Sequence, residues 1–172
     1  IILMLFMALN TGVTALIARR KGEDDAKKAN EVLMQALLIC FVLAIIMTTI
    51  GMVTARPLLR FAGAGADFIE DSIIYYRIIT AGTVFGVLTM TINAAQRGAG
   101  NTKIAMTTSL ISNVVNVVFN FLLIKGRLGF PALGVKGAAI ATVIGMVAAS
   151  LAACYSLRNA SFIYFDIEGL KK

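Results

Sequence analysis

The sequence predicts an all-α integral membrane fold with five membrane-crossing helices. Three observations predict it. The 172 residues are 59% hydrophobic and only 15% charged, with a mean hydropathy of +0.86, more apolar than a soluble domain of this length needs. The charges fall in short clusters separated by long apolar runs. Each run is close to the ~20 residues a helix needs to cross the hydrocarbon. Only helices or closed barrels satisfy their backbone inside a bilayer, and these runs lack the alternation of barrel strands.

The predicted spans, in order, cover residues 1–18, 32–55, 72–96, 104–124 and 137–157. Arg77 is the one charge within them, and it sits in the first turns of the third span, where its stem can reach back to the headgroups. Pro57 is expected to end the second span, with the PLLRF stretch lying at the interface before Gly63 and Gly65. Asp67, Glu70 and Asp71 place acid ahead of the third helix, which suits its N-terminal dipole. Tyr75, Tyr76 and Tyr155 fall near span ends, where amphipathic rings sit best.

The cations set the expected orientation. Arg19, Arg20, Lys21, Lys27, Lys28, Arg97, Lys103, Arg158, Lys171 and Lys172 lie on one side, against Arg56, Arg60, Lys125, Arg127 and Lys136 on the other. Ten against five favours the first side as cytoplasmic, putting the N-terminal end outside and the C-terminal end inside. The chain starts with Ile1 inside an apolar run and without a basic leader, so it reads as a fragment with at least one span upstream. The net charge of +7 then reflects contact with anionic membrane lipid. No nucleic acid partner is expected, because the cations form no patch beside stacking aromatics.

Chemistry by covalent catalysis is not indicated. There is no His, and the sequence contains no HExxH, phosphate-cradling loop or nucleophile elbow. Cys40 and Cys154 both lie in apolar spans and read as small buried hydrophobes. No carboxylate falls inside a span. A proton- or sodium-coupled machine would therefore have to supply its membrane-embedded acid from elsewhere.

Polar residues inside the spans are the candidate functional groups, since each is costly unless it faces protein or water. The fourth span carries the clearest pattern: Ser109, Asn113, Asn116 and Asn120 recur at intervals of 4, 3 and 4, one stripe of a helix. Two readings stand beside each other, a polar lining for a cation or substrate path and interhelical hydrogen bonding. The fifth span opens with Gly137, Ala138, Ala139, Ile140, Ala141 and Thr142. Small residues there admit a close neighbour. The Thr142 hydroxyl and exposed carbonyls could also serve as hard oxygen ligands.

Three segments carry a family resemblance. ALNTGVTALIARRKGEDDAKKAN at 8–30, INAAQRGAGNTK at 92–103 and SNVVNVVFNFLLIKGRLGFPALGVKGAAIAT at 112–142 resemble the second helix and its loop, the turn after the fourth helix, and the fifth helix through the start of the sixth in the multidrug and toxic compound extrusion (MATE) family. The resemblance implies that residues 1–158 are helices two to six of the first lobe of a twelve-helix, two-lobe transporter, and so an incomplete six-helix lobe. Residues 159–172 would be a cytoplasmic tail or the start of the inter-lobe loop.

It also implies secondary active efflux of drugs or organic cations across the plasma membrane by antiport with Na+ or H+, with no further cofactor. The partner would be the remainder of the same transporter. A lipid-linked oligosaccharide flippase of the same broad superfamily is the alternative. In some members a cation site joins an acid on helix one to polar residues on helices five and six. The matching positions here are Asn116 and Asn120 with Ala138 and Thr142, Asn113 lying on the same stripe, and a Na+ would sit near Asn116 and Asn120. Position 120 is Asn where some members carry Asp, so it supplies no titratable group.

Overall fold

A computed structural model describes residues 2–63, 65, 68–126, 131–158 and 162–163, with side chains from Met4 onward. It contains five helices: α1 (Ile2–Gly22), α2 (Ala26–Phe61), α3 (Ile69–Gly98), α4 (Thr102–Leu123) and α5 (Gly134–Arg158). Four of them, α2 to α5, are long and apolar enough to cross a membrane. The fifth, α1, carries Asn10, Thr11 and Thr14 at mid-length and ends in Arg19, Arg20 and Lys21.

The helices run past the predicted spans at nearly every end. The segment 19–28, expected as a charged loop, is mostly helix: α1 continues to Gly22 and α2 begins at Ala26. Hydropathy detects only the part that needs hydrocarbon, and charged end residues continue a helix once they reach water. Asp25 starts α2 by accepting the Lys28 N–H at 3.0 Å, satisfying one of the otherwise unpaired first-turn donors. Lys28 returns the favour with its ammonium, 2.8 Å from the Asp25 carboxylate. Glu23 pairs with Arg19 at 3.1 Å and Arg20 at 2.7 Å.

Pro57 does not end α2. The helix passes through it to Phe61 and stops at Ala62 and Gly63, where Gly63 takes a left-handed φ of 82°. Proline removes one ladder donor, and one lost bond near an exposed helix end is tolerable. The left-handed glycine makes the actual stop. PLLRF is therefore the last turn of α2 rather than a separate interfacial segment. Glu70 and Asp71 do occupy the first turn of α3. Arg77 is exposed. Asp67, Arg127, Lys171 and Lys172 lie outside the described residues, as does the predicted tail 159–172 apart from Phe162 and Ile163.

α3 is the hub, packing against all four other helices, with α1 and α2 on one side and α4 and α5 on the other. Small residues permit this crowding. A side chain at Gly98 would lie 2.6 Å from the Thr14 carbonyl, and one at Gly82 would lie 2.6 Å from Val143. Thr14 donates across the α1–α3 contact to the Ala94 carbonyl at 3.0 Å. The main apolar core gathers Val13, Ile17, Leu33, Ile92, Leu157 and Ile163 at the end of the bundle that carries Arg19 to Lys28. A smaller cluster of Phe6, Cys40, Ala44 and Val87 lies above it. Many large side chains on α2 and α4 remain exposed, among them Phe41, Ile45, Val117 and Phe121. That is the pattern of a lipid-facing surface, where apolar exposure carries no penalty.

Candidate functional site

The Asn stripe meets α5 because α5 presents almost nothing but backbone to it. Gly137, Ala141, Gly145, Ala149 and Ala153 recur every fourth residue and are all buried. This is the small-residue spacing that lets two helices approach closely. A Cβ on Gly137 would lie 2.6 Å from the Leu123 carbonyl oxygen; one on Gly145 would lie 2.9 Å from the Ser112 carbonyl oxygen and 3.3 Å from Asn116 Cβ. Only the start of this ladder, Gly137 to Thr142, stood out in the sequence.

Close approach brings the polar groups together. Asn120 Nδ2 donates to Asn116 Oδ1 at 2.9 Å. Asn116 Nδ2 donates across the interface to Thr142 Oγ1 at 3.1 Å. The Thr142 hydroxyl in turn donates to the Ala138 carbonyl at 3.0 Å. The chain of bonds runs one way, from Asn120 to Asn116 along α4, across to Thr142, and on to Ala138 within α5. It leaves one acceptor over: Asn120 Oδ1 is buried and has no hydrogen-bond partner. A buried unsatisfied oxygen costs about 1–3 kcal/mol. A hydrogen-bond donor or a cation at that oxygen removes the cost. Every group in the chain is neutral, so the site binds through dipoles rather than net charge.

The stripe splits at its other members. Asn116, Asn120, Ala138 and Thr142 come together, whereas Asn113 is exposed and makes no hydrogen bond among the described residues. Ser109 turns instead toward a groove of about 350 Å3 between α3, α4 and α5, with Thr89, Asn93, Arg97, Ser112 and Met146 in its walls. Beside it the buried Thr108 hydroxyl donates to Asn93 Oδ1 at 2.9 Å and is shared with the Ile104 carbonyl at 3.1 Å. This second polar contact joins α3 to α4. The sequence offered no pattern for it, because the threonines and Asn93 of α3 follow no single face. No group of three or more His, Cys, Asp or Glu residues suited to a metal ion occurs among the described residues.

A family model described as MatE matches residues 1–122. The chain belongs to the MATE family. Its relatives include a probable multidrug resistance protein NorM from Oceanobacillus iheyensis, 36% identical over 76% of this chain and 29% of that protein. A probable multidrug resistance protein YoeA from Bacillus subtilis is 30% identical over 89% of this chain and 33% of its own length. An FAD transporter from Shewanella oneidensis is 29% identical over 99% of this chain and 39% of that protein. The chain thus spans about a third of the length of the relatives it matches.

The fold agrees. A multidrug resistance MATE family transporter solved in an inward-facing conformation matches with a TM-score of 0.89, at 29% identity over 98% of this chain and 38% of that one. An outward-facing structure of a multidrug resistance MATE transporter matches at 0.87, 30% identity, 97% and 37%. This MATE segment therefore has a helix arrangement common to both conformations. Its family is one of membrane transporters, not an enzyme class, and its apolar helices make it a multi-pass membrane protein.

Proposed function

We propose that the transporter carrying this segment expels drugs or organic cations in exchange for Na+ or H+, and that the α4–α5 polar chain takes part in binding the coupling cation. The observation that carries the reading is the buried, unpartnered Asn120 Oδ1 at the open end of the hydrogen-bond chain from Asn120 through Asn116 to Thr142. That bare acceptor suits a cation or the proton of an acid. A hard cation takes several oxygens, and Asn120 Oδ1 supplies one, the Ala138 carbonyl being taken up by the Thr142 hydroxyl and by its own helix. Other ligands come from water or from parts of the transporter beyond this segment. The NorM and YoeA relatives, named as probable multidrug resistance proteins, support the substrate class.

The end of the bundle carrying Arg19 to Lys28 is proposed to face the cytoplasm of a cell whose plasma membrane the helices cross. Nothing observed favours the flippase alternative, which calls for a cationic cavity at membrane depth. The one charge within a predicted span, Arg77, is exposed near the start of α3.

The test is transport by the full-length protein in liposomes. A fluorescent organic cation is followed under an imposed Na+ or H+ gradient, for wild type and for Asn116→Ala with Asn120→Ala. Gradient-driven movement in wild type, lost in a variant that still folds, is the expected result. Unimpaired movement in the variant assigns the chain of bonds to helix packing alone. Movement of a flavin dinucleotide in place of the organic cation overturns the substrate reading.

A further inference from the structure

The basic end of the bundle holds a cavity of about 670 Å3 lined by Lys21, Gln96, the turn from Ala99 to Lys103, and Ser156. No carboxylate lines it among the described residues. The neighbouring cations are differently placed: Arg19, Arg20 and Lys28 are matched by Glu23 and Asp25 within a turn. Lys21 and Lys103 form no ion pair among the described residues. Lys21 is instead aimed. Its ammonium donates to the Ala99 carbonyl, and Gly100, with a φ of 82°, makes the room, since a Cβ there would lie 3.0 Å from Lys21 Nζ. The carbonyl and the Phe162 ring, whose centroid is 5.9 Å from Lys21 Nζ, are both neutral, and so orient the ammonium without cancelling its charge.

Two further groups point to the kind of ligand. α4 starts in the cavity wall, at Thr102, Lys103 and Ile104, and its N-cap Asn101 makes no side-chain cap bond. The partial positive charge of a helix start is thus left for an anion. Gln96 is 1% exposed. Its Nε2 reaches Ser156 Oγ at 3.4 Å, while its Oε1 takes no hydrogen bond among the described residues. Gln96 lines the cationic cavity, and its carbonyl oxygen can accept from a ligand that is anionic at one point and a donor at another.

We propose that this cavity binds the headgroup of an anionic glycerophospholipid. Its phosphodiester lies between Lys21 and Lys103 at the start of α4, and a headgroup hydroxyl donates to Gln96. The location favours a lipid over a soluble ion, because basic clefts at the ends of membrane helices sit at headgroup depth. The apolar Ile104 and Ile163 side chains in the same wall suit the ester region of such a lipid.

Native mass spectrometry of the full-length transporter in neutral detergent tests this without any transport step, so it stands or falls separately from the antiport reading. Phosphatidylglycerol and phosphatidylcholine are added at equal concentration. Wild type is expected to retain the anionic lipid preferentially. Each of Lys21→Gln and Lys103→Gln is expected to weaken that retention roughly fivefold. Lys125→Gln, in the loop at the far end of α4, leaves it unchanged. Should the double glutamine variant fail to fold, Lys21→Arg with Lys103→Arg keeps the charge and should keep the lipid. Equal retention of both lipids, or a folded double glutamine variant that binds like wild type, overturns the proposal. So does equally tight binding of sn-glycerol 3-phosphate at the same residues, which assigns the cavity to a soluble phosphate ester.

Discussion

Gly137→Ala adds one methyl group where α4 and α5 touch backbone to backbone. The new Cβ would stand 2.6 Å from the Leu123 carbonyl oxygen and 2.8 Å from its carbon. A flexible side chain could swing aside, but a helix backbone cannot. Restoring ordinary contact at about 3.4 Å requires the helices to part by about 0.8 Å. Carried along the interface, that stretches the Asn116–Thr142 bond from 3.1 Å beyond useful hydrogen-bond length. The cost has two parts: about 1–3 kcal/mol for overpacking and about 0.6–1.7 kcal/mol for an interhelical hydrogen bond lost in a membrane. The better helix propensity of alanine offsets at most ~1 kcal/mol. A net loss of about 1–4 kcal/mol follows.

Gly12→Ala in α1 is the matched control, because a Cβ there meets nothing within 4 Å; it should be neutral or slightly stabilising. Reversible unfolding of the full-length protein in mixed micelles reads both, alongside gradient-driven transport. If Gly137→Ala proves as stable as Gly12→Ala, the backbones are not in contact and the geometry of the α4–α5 site is wrong. If Gly137→Ala is destabilised but transport per folded molecule is untouched, the contact is real and the Asn116–Thr142 bond has no part in transport.

Two predictions concern the helix ends. Pro57→Ala should preserve the length of α2 and leave thermal stability unchanged or raised, by at most the ~3 kcal/mol a proline costs in a helix interior; a lowered melting temperature would mean that α2 needs the proline at its end. At the α1–α2 turn, the hydrogen bonds from the Lys28 side chain and backbone hold the Asp25 carboxyl below the ordinary aspartate range. Its contribution to stability is therefore complete above the unfolded-state value and is lost as pH falls through the lower folded value. The Lys28 amide resonance should report that titration below the usual range, and Asp25→Asn should abolish it; a titration at or above the ordinary value would contradict the cap.

How much was legible in the chain differs between the helices and the site. Five apolar runs announced five helices, because a bilayer offers the backbone no other open-chain solution. Their ends were misjudged by up to six residues, as at Ala26 and Phe61, because hydropathy marks the hydrocarbon boundary while caps and left-handed glycines mark where a helix begins and stops. The intervals between Asn113, Asn116 and Asn120 placed them on one face in advance, and the resemblance to MATE transporters singled out Ala138 and Thr142.

Which of those residues meet was a matter for the tertiary structure. The glycine and alanine ladder of α5 draws in Asn116 and Asn120, and the rotation of α4 that this contact imposes leaves Asn113 exposed. The orphaned Asn120 oxygen ends a run of three hydrogen bonds, of which the one from Asn116 to Thr142 crosses that contact. Lys21 and Ala99, 78 residues apart, likewise become neighbours only when α1 packs on α3. Local sequence determines where a chain must be helical and which residues share a face. The partner of a face is set by close packing between distant segments, an interaction that no single segment encodes.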